Sequence, residues 1–385
     1  MTFPLRYCLA LVVHVPLFTW RLLLALPAAG WRQLWKRLPL FLLLVPCFTL
    51  LNLLHLIGWL LDELFFHRWH QVRIRNPVFI VGLPRSGTTH LQRVLAHDPQ
   101  FTTFTTWEAL LAPTLCEKYC WRGCARLLAL PTRLLRPLRD RWFKDMDSIH
   151  KLGLNEAEED FLLLLPLEAC LLLAFLAPGC RDYWALARAD QAPPAAFTLP
   201  LDYYADCLRK HLLFHGTERI LLSKNPSFTS WLPHLAQRFP DAHFIACLRA
   251  PEAVVPSQFS ALLPGLRLVG DGRFSATMRS ELLGLLQHYY QVLNTCTPPY
   301  LPMPMERLQR DLSASVQAVY EYCGLHPSAA LQAQLPALAA ASAQYRSAHR
   351  YSHNTAGLDP AELRVLFQDA WPLSPRDHNN KTTWI

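Results

Sequence analysis

An apolar run, Phe79-Ile80-Val81, leads through Gly82 into Leu83-Pro84-Arg85-Ser86-Gly87-Thr88-Thr89, and this stretch carries the clearest chemistry in the chain. A buried strand would run into a tight Gly/Pro turn, and the hydroxyl residues would open a helix predicted over His90 to His97. That arrangement aims backbone N–H groups and the positive end of a helix at an anion. The spacing Gly82-x4-Gly87 is that of a P-loop. A nucleoside triphosphatase places a lysine after the second glycine to reach the β- and γ-phosphates, and Mg²⁺ shares their charge. Thr88 stands at that position here. Arg85, Ser86, Thr88 and Thr89 therefore suit a smaller terminal anion that reacts without a metal.

The hexapeptide Pro84-Arg85-Ser86-Gly87-Thr88-Thr89 resembles the loop of the sulfotransferases that use 3'-phosphoadenosine-5'-phosphosulfate (PAPS). The branch it is similar to includes tyrosylprotein sulfotransferases and many bacterial enzymes. The resemblance implies that Arg85, Ser86, Gly87, Thr88 and Thr89 hold the 5'-phosphosulfate. It extends to Leu222-Ser223-Lys224-Asn225-Pro226, which is similar to the family's strand end whose lysine contacts the transferring sulfuryl group. Lys224 and Arg85 are thus implied to act in the transfer. The family's 3'-phosphate site pairs an arginine at a strand end with a serine eight residues later, the separation of Arg249 and Ser257. A guanidinium and a hydroxyl near a helix start also make physical sense as a phosphate clamp. Ala250 departs from the pattern, since the family often has an acidic residue or glycine there.

Sulfuryl transfer needs a base for the acceptor's proton and cations for the charge on the oxygens. Glu108, in Thr106-Trp107-Glu108, lies near the place of the base in the tyrosylprotein branch and is the candidate. His150 is the alternative, because cytosolic sulfotransferases use a histidine. His349-Arg350-Tyr351-Ser352-His353 resembles the family's late loop over the nucleotide, which nominates Arg350 and Tyr351. Residues 111–217 carry no recognisable motif.

The nominated residues need a scaffold that gathers them. Val78–Gly82, Arg219–Ser223 and His243–Leu248 are apolar without alternation, as buried parallel strands are. Helical sequence follows each, and open α/β sheets bind ligands beyond the carboxyl ends of their strands. Those ends are where Arg85 to Thr89, Lys224 and Arg249 stand. The expected fold is α/β, a P-loop three-layer fold with a central parallel sheet, plus an apolar helical N-terminal segment. Residues 1–75 form that segment and 76–385 the catalytic domain. Residues 154–176 read as a helix whose first turn holds the acids from Glu156 to Asp160. Gln317–Cys323 reads as a helix closed by Gly324.

Of 385 residues, 52% are hydrophobic and only 17% charged, and the apolar excess is concentrated at the N-terminus. Residues 7–29 are apolar, 31–37 form a short basic link, and Leu38 to Leu61 carry no charge over a length able to cross a bilayer of roughly 30 Å. Basic residues flank the run on both sides, so charge does not set its orientation. Pro39, Pro46 and flanking tryptophans suit either a hairpin dipping into one leaflet or an apolar pair packed on the catalytic domain. Membrane association is expected, on the cytoplasmic face in a bacterium or in the Golgi lumen in a eukaryote. Net charge is +8, with arginines clustered from Arg122 to Arg141. Such a cluster meets anionic lipid, an acidic substrate or a nucleotide, or is a solvated helix face. No nucleic-acid module is present. The eleven cysteines form no disulfide framework; Cys116, Cys120 and Cys124 make one helical stripe without a fourth ligand, so no metal is expected.

The resulting reading is transfer of a sulfuryl group from PAPS to a hydroxyl or amine of a small-molecule or lipid acceptor. A P-loop kinase and a catalytically silent, membrane-tethered nucleotide-binding protein are the rivals. Because Thr88 replaces the P-loop lysine, turnover is expected to persist in excess EDTA. Abolition by the chelator and recovery with Mg²⁺ would favour the kinase.

Overall fold

The structure is a computed structural model that describes residues 3–25, 31–124, 157–269, 272–295, 298–344 and 359–371. Five parallel strands form one sheet in the order β2-β3-β1-β4-β5: β1 (Val78–Gly82), β2 (Phe101–Thr102), β3 (Ile220–Lys224), β4 (His243–Leu248) and β5 (Leu301–Pro304). The register sets Ile80 beside Lys224 on one flank and Gly82 beside Cys247 on the other. Alternation along β1 sends Phe79 and Val81 into one hydrophobic core and Val78 and Ile80 into a second on the opposite face. Helices cover both faces, which gives the expected three layers. The α/β fold and the three long strands agree with the sequence reading.

After the loop comes α3 (Thr88–Leu95), and after β4 comes α6 (Pro251–Val269), numbering α1 and α2 below, α4 as Thr106–Leu111 and α5 as Pro194–His215. The helix Leu312–Cys323 ends at Gly324 with φ of 65°, a left-handed C-cap that glycine adopts without a Cβ penalty.

The run 154–176 departs from its reading as one helix. Ala157 bridges Thr105, Asp160–Leu167 is a 3₁₀ helix containing Pro166, and the chain turns at Glu168 (φ 53°) before the short helix Leu173–Leu176. Pro166 has no N–H to extend an α-helical ladder. The leucines, apolar on all sides, are buried in the larger core without needing a single helical face.

The N-terminal residues form two long helices, α1 (Phe3–Ala25) and α2 (Trp31–Phe65). Residues 31–37, which read as a link, are the first turns of α2. The helices are antiparallel: Tyr7 packs on Trp59 with ring centroids 5.0 Å apart, and Phe18 on Phe48 at 4.0 Å. Their inner faces join the larger core of the catalytic domain. A buried ion pair fastens them there. Lys210 on α5 lies 3.0 Å from Asp62 and 3.1 Å from the centre of the Trp59 ring. Asp62 also accepts the backbone N–H groups of Leu115 and Cys116, each at 2.8 Å, and so starts the helical stretch from 115. Burial pushes the Lys210 ammonium down against the pull of Asp62.

Removing one partner of a buried pair strands the other charge. Asp62→Ala is therefore expected to cost about 3–5 kcal/mol, read as a fall in the thermal unfolding midpoint of the full chain.

Candidate functional site

The loop after β1 is built by close approaches that only certain residues allow. Gly82 has φ of 109°, and a Cβ there would sit 2.2 Å from the carbonyl oxygen of Cys247. With no side chain in the way, the Leu83 N–H donates to that oxygen at 3.0 Å. The Ser86 hydroxyl lies 3.0 Å from the same oxygen and also bonds the Leu83 carbonyl. The Thr229 hydroxyl accepts from Gly82 N–H and donates to Gly82 C=O, both at 2.8 Å. Gly87 caps α3 with φ of 91°, and a Cβ on it would meet the Met305 sulfur at 2.7 Å. The first N–H groups of α3 then point out of the helix without intrahelical acceptors.

Three nominated residues meet at this loop. Arg85 takes a left-handed backbone (φ 63°), and its Nε donates to the Ser257 hydroxyl at 3.2 Å. Arg249 donates from Nη1 to the Arg85 carbonyl at 3.0 Å. The Tyr290 hydroxyl holds the Arg249 carbonyl at 2.5 Å. A P-loop, a strand end and a helix thus supply two guanidiniums and a hydroxyl beside a helix N-terminus, a donor set that fits a phosphate or sulfate group. Ser86 and Thr88 are buried in the loop, and Thr89 is half-buried.

Lys224 ends β3, on the strand beside β1, and is buried. It is 3.0 Å from a Glu159 carboxylate oxygen and 3.8 Å from one of Glu158. The backbone fixes these acids: Glu158 N–H donates to Phe104 C=O at 3.1 Å, and Gln92 of α3 reaches the Glu158 carbonyl at 3.4 Å. Next to them Asp160 is fully buried; burial raises its pKa to about 6 against the hydrogen bonds of Tyr204 and Ser223. The sequence reading took these acids for a helix N-terminus. The signal in the sequence is the run of three acids from Glu158 to Asp160, but the lysine that Glu159 meets lies sixty-five residues away.

Glu108 sits elsewhere than expected of a base. It is the N3 residue of a capping box on α4, where one oxygen accepts from the Thr105 N–H (3.1 Å) and hydroxyl (2.8 Å). The other oxygen meets Lys118 at 2.8 Å and His215 at 2.6 Å. Burial works to raise its pKa, but the His215 hydrogen bond, the interaction with His211 and the Lys118 charge outweigh it and hold the carboxyl far below the usual range. A carboxylate held charged so strongly is a weak proton acceptor. The Glu108–His211–His215 group has metal-ligand types at close range, yet the Lys118 ammonium already fills the cation position on the shared oxygen. Helix 115–124 sets Cys116, Cys120 and Cys124 four residues apart, all free thiols. His150, Arg350, Tyr351 and the cluster arginines from Arg126 to Arg141 lie outside the described residues.

The family model described as "Sulfotransferase family" matches residues 77–328, well over half of the chain. The protein belongs to the sulfotransferase family. Two solved structures share its fold. Sulfotransferase STF9 from Mycobacterium avium is 18% identical with a TM-score of 0.62, the match covering 87% of this chain and 84% of that one. Sulfotransferase STF1 from Mycobacterium tuberculosis H37Rv is 20% identical with a TM-score of 0.58 and 85% of each chain covered. Comparison with curated proteins finds no match. In this sulfotransferase the loop, Arg85, Arg249 and Ser257 fall within the matched region, as do Lys224 and Glu159.

Glu108 is depressed in the folded state, so its stabilising contribution is complete above the unfolded value of about 4.3 and shrinks as the pH falls below it. Glu108→Gln is expected to cost roughly 3 kcal/mol near neutral pH. The gap to wild type should hold from pH 6 to about 4.3 and narrow from there to pH 3 as denaturant unfolding is repeated.

Proposed function

We propose that this protein moves a sulfuryl group from PAPS to a hydroxyl or amine of a small-molecule or lipid acceptor met at a membrane surface. The observation that carries the donor assignment is the meeting of Arg85, Arg249 and Ser257 at the helix-opening loop. In this reading the loop and the α3 N-terminus hold the 5'-phosphosulfate, and Arg249 with Ser257 holds the 3'-phosphate. Lys224 offsets charge on the sulfuryl oxygens while the bond from sulfur to the 5'-phosphate oxygen breaks. Glu159, 3.0 Å from Lys224 and a quarter exposed, takes the proton of the acceptor as its oxygen or nitrogen bonds to sulfur. The base role moves from Glu108 to Glu159 because Glu108 already accepts from Thr105, Lys118 and His215. The apolar N-terminal helices support delivery of the acceptor from a membrane.

Calorimetry separates the 3'-phosphate from the rest of the donor. PAPS is expected to bind more tightly than adenosine-5'-phosphosulfate, and Arg249→Ala to weaken PAPS by roughly 10–100-fold, as loss of a charge-assisted contact does. Equal affinities for the two nucleotides in wild type would sink the assignment. With a chromogenic phenol as acceptor, Glu159→Gln is expected to lower kcat by about 10²–10⁴-fold at unchanged nucleotide affinity. Normal turnover in that variant would remove Glu159 from the chemistry.

A further inference from the structure

The two N-terminal helices are long and apolar enough to span a bilayer, yet one side of them is committed to the catalytic domain. Along α1, Tyr7 donates to Asp206 at 3.0 Å, His14 pairs with Glu168 at 3.0 Å, and Arg21 bridges Glu168 at 2.8 Å and Asp182 at 2.6 Å. On α2, His55 meets Glu117 at 2.6 Å and Asp62 meets Lys210 at 3.0 Å. Tyr7 to Arg21 is about 21 Å of helix at ~1.5 Å per residue, most of a hydrocarbon core of ~30 Å. Were α1 to cross the bilayer, the acids Asp206, Glu168 and Asp182 and the domain behind them would be drawn into hydrocarbon.

The opposite side is apolar and uncovered. Only 33% of the apolar window of α1 and 22% of that of α2 is buried, where a core helix would be mostly buried. Val12, Val13 and Leu24 of α1 and Leu43, Leu50 and Leu54 of α2 are exposed, with Trp20 at 59%. This is a contiguous surface on two adjacent helices, not scattered side chains.

Charge says what covers it. Just beyond the end of α2, a cavity of about 730 Å³ is lined by Arg73, Arg75, Arg209 and Arg238, with His70 and Asp241. It opens at the amino ends of the strands, since its residues precede β1 and β4, and so lies away from the anion loop. Arg209 pairs with Asp206, Arg238 pairs with Asp202, and Asp241 accepts the Asn76 N–H. Arg73 and Arg75 are exposed and add positive charge that those acids do not match. An apolar surface ending at an arginine-lined groove complements hydrocarbon bordered by anionic headgroups.

We propose that α1 and α2 lie in the plane of one leaflet with this face inward, without crossing it, and that the arginine groove takes the headgroup of an anionic phospholipid. The proposal deepens the reading of a membrane-associated transferase. It makes the anchor monotopic and places the catalytic domain against the bilayer surface.

The full chain is tested by flotation with phosphatidylcholine vesicles, with and without phosphatidylglycerol. Wild type is expected to float with both and to favour the anionic set. Val13→Glu with Leu54→Glu should abolish flotation on both while leaving the unfolding midpoint unchanged. Arg73→Ala with Arg75→Ala should keep flotation on the neutral vesicles and lose roughly tenfold or more of the anionic preference. An epitope inserted between α1 and α2 should remain open to antibody outside sealed vesicles. Failure of wild type to float, a soluble dimer dissolved by the glutamate pair instead, or an epitope shielded in the lumen would overturn the leaflet placement. Anionic preference unchanged in the arginine pair would overturn the headgroup site. Vesicle binding is read without turnover, so a protein that floats but does not bind PAPS overturns the donor assignment and leaves this proposal standing.

Discussion

The carbonyl oxygen of Cys247 is the point to which the anion loop is tied. It receives the Leu83 N–H and lies within reach of the Ser86 hydroxyl, so one acceptor on β4 sets both the start and the middle of the loop. The approach is possible because Gly82 has no Cβ, and because β1 and β4 are paired in parallel with Gly82 beside Cys247. Two residues beyond Cys247, just past the end of the strand, stands Arg249, whose side chain returns to the Arg85 carbonyl. Loop shape and the Arg249 contact are therefore one unit: a shift in the β1–β4 register would move both.

Behind that unit the domain buries charge in pairs that have different jobs. Glu108 with Lys118 and Asp62 with Lys210 are buried on both sides of the pair, and their acids also cap helices. Each acid is saturated, which makes it a fastener. Lys224 with Glu159 differs, since the acid is partly exposed and both stand at the edge where the sheet binds ligands. Burial of a charge is thus a poor guide to function in this fold; the opening toward solvent is what sets Lys224 and Glu159 apart from the two closed pairs.

The N-terminal helices follow the same logic. Polar side chains on one side, from Tyr7 to Arg21 on α1 and from His55 to Asp62 on α2, find partners in the domain beside buried apolar residues such as Leu11, Phe18 and Phe48, while further hydrocarbon side chains are turned outward on the other side. An amphipathic helix on the surface of a globular domain normally turns polar residues to the outer side.

Much of the fold and half of the site were legible in the chain because they rest on local pattern. Unbroken apolar runs mark β1, β3 and β4, the Gly82-x4-Gly87 spacing marks the loop, and the positions of Lys224 and Arg249 after their runs put them at strand ends. The tertiary structure alone decided the rest. Glu108 and Glu159 are both acids at the start of a short helical element, and the Thr105-x-x-Glu108 capping pattern is the one local sign that tells them apart. The cations that complete the difference, Lys118, His215 and Lys224, are brought in from other elements by packing. The leucine-rich run after Asp160 looked helical because apolar residues satisfy any periodicity, and only Pro166 and burial on all sides made it 3₁₀. The two long N-terminal helices were visible as apolar stretches. Which side of each is uncovered depended on partners far along the chain, acids near 168–206 for α1 and Glu117 and Lys210 for α2, because hydropathy counts side chains along the chain and not the partners that the fold delivers.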